Sequence, residues 1–255
     1  GLDENSFLVP LGPRDFEICN LQKEIVALNA QSQFEQALER IDRLEKLVAP
    51  KEKLAQQFLL RSRALAGYWQ DGKHLPYDYP TQRRMLLDAL EITHPDFDLE
   101  KIERCLLSIE DIKSLNQIAI TYSETGDRRF AIRIYEQLMH YPHNRMFNNE
   151  ALLTVMPLLC YNYSRLLGRE RRYEECIEVA QYGYDICLKY NKARLLGGLL
   201  LNIGCSLQKL GQDEEAKQKL IESYYAFVTV KKFSSAQKVK DYMKETWGLD
   251  FKGDI

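Results

Sequence analysis

The chain has 255 residues, of which 45% are hydrophobic and 28% charged, the balance of an ordinary soluble globular protein. Its formal net charge of −2 argues against a surface built mainly to neutralise phosphates, which needs a basic surplus. No apolar run approaches the roughly 18 residues of a membrane-spanning helix.

In chain order, the periodicity is helical almost everywhere. The opening "GLDENSFLVPLGPRD" has neither the basic start nor the apolar core of a signal peptide. It begins with Gly rather than Met, which suggests a fragment of a longer protein. A first helical hairpin is expected over about 14–48, where Phe34, Ala37, Leu38, Ile41, Leu44 and Leu47 form one stripe. A degenerate second pair covers about 53–93, with the long loop "WQDGKHLPYDYP" inside it. No run of strict alternation is long enough to defend as a strand. Three further hairpins are expected over about 109–141, 148–190 and 194–230. In the last of them Leu196, Leu199, Leu200, Ile203, Leu207 and Leu210 recur at three- and four-residue steps. A final helix over 232–247 carries an apolar stripe of Phe233, Ala236, Val239, Tyr242, Met243 and Trp247. Solenoid ends need a cap or a partner, so this helix is expected to cap the array and to contribute to a homodimer.

The breaks between helices have recognisable chemistry. "TGDRR" and "LGQDEE" place Gly just past one helix and Asp in the first turn of the next. Gly accepts the left-handed conformation at a helix end, and Asp complements the positive end of the following dipole. A small residue follows each turn: Ala37, Ala131, Cys176 and Ala216. Two helices that cross closely leave room for nothing larger. The last three landmarks are 40–45 residues apart, which exceeds the roughly 34 of the standard tetratricopeptide unit.

This turn-and-small-residue pattern resembles tetratricopeptide repeats. The stretch "LLDALEITHPDFDLEKIERCLLSIEDIKSLNQIAITYSETGDRRFAIRIYEQLM" resembles something narrower. It is similar to the C-terminal repeat domain of Gram-positive helix-turn-helix (XRE-type) transcriptional regulators of the peptide-sensing type. The resemblance implies an all-α, right-handed superhelix of about five hairpins with a C-terminal capping helix, forming a single domain over 1–255. It implies a dimer and a short peptide held in the concave face of the array. It also implies that DNA is reached only through a helix-turn-helix domain, and none is visible in this chain.

Catalytic signals are weak. The histidines are His74, His94, His140 and His143. Pro142 breaks the helix between the last two, and a metal would need further ligands nearby. No phosphate-binding, nucleophile-elbow or zinc-protease motif occurs. The reading is therefore a non-enzyme with no cofactor and no metal. The six cysteines, Cys19, Cys105, Cys160, Cys176, Cys187 and Cys205, include no C-x-x-C pair. They read as reduced core thiols of a cytoplasmic protein. Tyrosines at 161, 163, 173, 182, 184 and 190, and Tyr224, Tyr225 and Phe227, are mostly packing residues, with some free to line a ligand groove.

Two asparagines stand out. Asn162 and Asn202 each lie fourteen residues before the small residue of the next helix (Cys176, Ala216), and Asn116 lies fifteen before Ala131. In the resembling arrays the first helix of each pair lines the concave face. Asn162 sits beside Leu158, Arg165 and Arg169, and Asn202 beside Lys209. Two readings stand. The asparagines could grip a peptide backbone, since each amide offers an acceptor and two donors, with Arg165, Arg169 and Lys209 meeting a carboxylate. Alternatively, each asparagine braces a neighbouring helix. Two functions stand likewise: a peptide-sensing, dimerising domain of a transcriptional regulator, or an adaptor that binds a protein segment and has no DNA role.

Overall fold

The computed structural model describes residues 12–144 and 150–249. The chain forms two compact units, Gly1–Asp98 and Leu99–Ile255. Eleven α-helices are present among the described residues; the first ten pair as five tetratricopeptide-like hairpins and the last follows them unpaired. His143 and the N-terminal stretch 1–11 lie outside the residues whose side chains are described.

The first unit holds α1 (Pro13–Ala30), α2 (Phe34–Leu47), α3 (Lys53–Ala66) and α4 (Tyr79–Thr93). Its core joins Leu21 and Ile25 of α1 to Leu38, Ile41 and Leu44 of α2 and Phe58 of α3. The sequence shows only a loop between α3 and α4, but the structure builds a small antiparallel hairpin there. Strand β1 (Tyr68–Gln70) pairs with β2 (Lys73–Leu75) in the register Trp69 opposite His74. Three residues per strand are too few for alternation to register. The visible signal is the turn itself. Asp71 and Gly72 have φ of 50° and 72°, the left-handed pair that an Asp-Gly hairpin turn requires. Gly67, at φ 90°, joins α3 to β1, and a Cβ there would lie 2.2 Å from the Leu75 carbonyl oxygen. Only glycine lets the strand pass so close.

The second unit holds α5 (Ile109–Glu124), α6 (Arg128–Asn144), α7 (Glu150–Arg169), α8 (Tyr173–Lys189), α9 (Leu196–Lys209), α10 (Asp213–Thr229) and α11 (Phe233–Trp247). Helix α6 runs on through position 142, where the sequence predicts a break. A capping box opens α5: Ser108 accepts from the Asp111 amide at 3.1 Å, and the Asp111 carboxylate accepts from the Ser108 amide at 2.7 Å. These are two of the amides that a helix start otherwise leaves unpaired. Gly126 and Gly211 take the left-handed conformation in their turns. In the middle hairpin Arg171 takes it instead, at φ 61°.

The small residues sit where the helices cross. Ala37, Ala131 and Ala216 have no exposed surface, and Cys176 has 1%. Opposite Ala216, a Cβ on Gly204 would lie 3.2 Å from the Ala216 carbonyl, so α9 and α10 approach almost backbone to backbone. Ala216→Leu should therefore cost about 1–3 kcal/mol through overpacking, read as a lower melting temperature. An unchanged melt would contradict the crossing.

The last helix covers the end of the array. Ala236, Val239 and Met243 are buried with Leu220, Tyr224 and Phe227 of α10. Phe233, expected in the same stripe, is 48% exposed. All six cysteines are free thiols. Cys160, Cys176 and Cys187 are buried, and Cys19, Cys105 and Cys205 are half-buried.

Candidate functional site

The first helices of successive hairpins touch directly: α5 packs on α7, and α7 on α9. Along this seam runs a chain of side-chain hydrogen bonds. The Asn162 amide nitrogen donates to the Asn116 side-chain oxygen at 3.0 Å. The same oxygen accepts from the Tyr135 hydroxyl at 3.1 Å. One hairpin later, the Asn202 amide nitrogen donates to the Tyr161 carbonyl at 3.1 Å and to Ser164 Oγ at 2.8 Å. A carbonyl only accepts, so the nitrogen of Asn202 must face α7. The bracing role expected as an alternative is thus present, and the donors carry it. The acceptors are not used this way. The side-chain oxygens of Asn162 and Asn202 have no partner among the described residues, and both residues are half-buried. Asn116 differs, being 4% exposed and enclosed in the seam.

Tyr135 is 1% exposed and stacks on Tyr163 with ring centroids 5.2 Å apart. Burial pushes its hydroxyl far above the usual tyrosine range, so it serves as a neutral donor. Beside it lies a tight crevice of about 40 Å³ bordered by Asn162, Arg165, Arg169 and Glu124. Both arginines point at one carboxylate: Arg169 Nη1 lies 2.8 Å and Arg165 Nη2 3.3 Å from Glu124 Oε1. Two guanidiniums share one negative charge, which leaves a surplus positive charge at the surface.

Further along the same face a wider recess of about 280 Å³ opens between α7, α9 and α11, with Tyr173 and Cys176 of α8 at its wall. Arg165 and Arg169 border it from α7, Asn202 and Lys209 from α9, and Tyr242 from α11. Lys209 is exposed and makes no ion pair or side-chain hydrogen bond among the described residues. Burial pushes the Cys205 thiol up to about 11 and raises that of Cys176. The Tyr242 hydroxyl is pushed up to about 12, chiefly by burial, and donates to Gln208 at 3.2 Å. At neutral pH the charges bordering the recess are therefore cationic. Such a surface can accept hydrogen bonds through amide oxygens and hold a carboxylate through arginine or lysine.

Most of the residues singled out in the sequence meet here: Asn162, Arg165, Arg169, Asn202 and Lys209 share one face. Leu158 is half-buried and borders neither recess. The sequence does not point to Glu124, Tyr135 or Ser164, and it places Tyr242 only in the stripe of the final helix. One signal for Glu124 was available, since Glu124, Arg169 and Lys209 each lie seven residues before Ala131, Cys176 and Ala216. Equivalent positions on successive first helices become neighbours. No three His, Cys, Asp or Glu side chains converge as a metal site would need among the described residues. No helix of the described residues is long and apolar enough to cross a membrane.

No curated protein matches the chain. Among solved structures it is similar to PlcR of Bacillus thuringiensis in complex with the peptide PapR7 and DNA. That likeness has a TM-score of 0.72 at 19% identity, covering 91% of this chain and 76% of PlcR. Against PlcR in its apo form the TM-score is 0.69 at 19% identity, covering 87% and 76%. The quorum sensor NprR of B. thuringiensis, in its apo form, gives a TM-score of 0.49 at 12% identity over 96% of this chain and 74% of NprR. The PlcR likeness establishes a shared fold. The model of the RNPP family C-terminal domain matches residues 22–242, and the chain therefore belongs to the RNPP family, of which it carries the C-terminal domain.

Proposed function

We propose that this chain is the ligand-sensing and dimerisation module of a transcriptional regulator, and that it binds a short peptide along the face formed by α5, α7 and α9. The observation that carries the reading is the pair of unpartnered amide oxygens, Asn162 and Asn202, at one register on the first helices of successive hairpins, beside Arg165, Arg169 and Lys209. An extended peptide would donate backbone N–H groups to these oxygens, while the amide nitrogens stay engaged in the seam. The arginines and Lys209 would hold a carboxylate. PlcR, which shares the fold, was crystallised with a peptide and DNA. Here DNA would be reached through a helix-turn-helix domain outside this chain.

Signalling would work by population shift. A peptide that fits one arrangement of the hairpins better than another biases the protein toward it. In a dimer this would alter the spacing of the DNA-binding heads. The dimer is expected to involve the capped end, where Phe233 remains exposed. Light scattering at high concentration should give twice the chain mass, and a strictly monomeric species would count against dimerisation.

The peptide reading is tested by releasing small molecules from the purified protein with acid, identifying peptides by mass spectrometry and titrating them back. Asn202→Ala should weaken binding about 2- to 12-fold, the effect of one net hydrogen bond. An affinity unchanged by Asn202→Ala would remove this residue from the ligand contact.

A further inference from the structure

The face between α7, α9 and α11 has a second recess, of about 230 Å³, at its other end. Three stripes connect the two recesses. On α9, Gly198 and Leu201 border the second recess, while Asn202, Cys205 and Lys209 border the first. On α11, Ser235 and Lys238 give way to Tyr242, and on α7, Tyr161 gives way to Arg165 and Gly168. These are three- and four-residue steps, so each stripe is a single helix face. The two recesses therefore lie at the two ends of the same helix faces.

Both ends are basic. Arg194, Lys232 and Lys238 border the second recess, and Arg165, Arg169 and Lys209 the first, with no carboxylate bordering either among the described residues. Lys232 is held in place by donating to the Arg194 carbonyl at 3.1 Å. Lys209 and Lys238 are exposed and make no ion pair among the described residues. Glu124 offsets only one of the two arginines it meets. Gly198 and Lys209 are eleven residues apart on α9, about 16 Å at 1.5 Å per residue. An extended peptide covers that span in about five residues at roughly 3.3 Å each.

Resting on the peptide-binding reading above, we infer that the groove selects acidic peptides: those with two anionic groups about five residues apart, one of which can be the peptide's own terminal carboxylate. One anion sits among Arg165, Arg169 and Lys209, and the other at Lys238 and Lys232. The Asn202 oxygen between them accepts a backbone N–H. Selectivity thus comes from charge at the ends, and the sequence between the anions is less constrained.

The test is affinity selection of a random heptapeptide library with free carboxyl termini on the whole chain, followed by sequencing of the retained pool. The retained peptides should be enriched in Asp or Glu about five residues from a second acid or from the C-terminus. Lys209→Glu and Lys238→Glu, at exposed positions and checked for unchanged helicity, should each abolish the acidic preference at one end only. A retained pool with no acidic bias would overturn the inference and leave peptide binding standing. A pool with no enrichment of any kind would count against both.

Discussion

Replacing Gly183 by Ala should lower the stability of the second unit by about 2–3 kcal/mol, near the upper end of what overpacking costs. Gly183 is buried on α8, and a Cβ there would lie 2.5 Å from Cys160 Cβ on α7 and 3.1 Å from Leu199 Cδ2 on α9. A Cβ atom is fixed to its backbone, so no rotamer change relieves the first contact, and α7 and α8 must separate. For a unit of this size the melting temperature should fall by roughly 4–12 °C. Because α7 carries Asn162, Arg165 and Arg169, peptide affinity should fall with it. Glu178→Ala, at an exposed position of the same helix, should stay within about 0.5 kcal/mol of the parent. Equal melts for parent and Gly183→Ala would contradict the close crossing.

The second large effect is expected at Asn116. Its side-chain oxygen accepts from both Tyr135 and Asn162. Asn116→Ala removes that acceptor and leaves the Tyr135 hydroxyl with only a long 3.4 Å contact to the Asn116 carbonyl. A buried donor left unsatisfied costs about 1–3 kcal/mol. Tyr135→Phe alone removes the donor together with its need and should cost no more than about 1.5 kcal/mol. The double variant should be more stable than the sum of the two single effects, by roughly 0.5–3 kcal/mol of coupling. Strict additivity would show that the hydroxyl and the amide do not share one network.

The helical hairpins were legible in the sequence because each buries a stripe at three- and four-residue spacing, as Leu199, Leu200, Ile203 and Leu207 do. The hairpin of β1 and β2 was not, because three residues cannot display alternation, although its Asp-Gly turn was in view. The shared register of Asn162 and Asn202 was legible, but the atoms they bond were not. Asn162 reaches Asn116, 46 positions away, and Asn202 reaches Tyr161, 41 positions away. Only the packing of one first helix on the next brings such residues together. Glu124 was lost among many surface carboxylates, since charge alone does not say which arginine a carboxylate will meet. The repeat offset does say so, because Glu124 and Arg169 occupy equivalent positions in neighbouring repeats.

Where a peptide sits on the chain distinguishes the groove from any other binding surface. A peptide released from the purified protein should be resynthesised with a photoreactive leucine analogue, bound, irradiated, and its attachment sites mapped by mass spectrometry. Adducts are predicted on the shared face of the first helices and the cap, within 161–169, 198–209 and 235–242. Adducts confined to residues 12–98, or to parts of α8 and α10 away from Tyr173, Cys176 and Phe227, would contradict the groove.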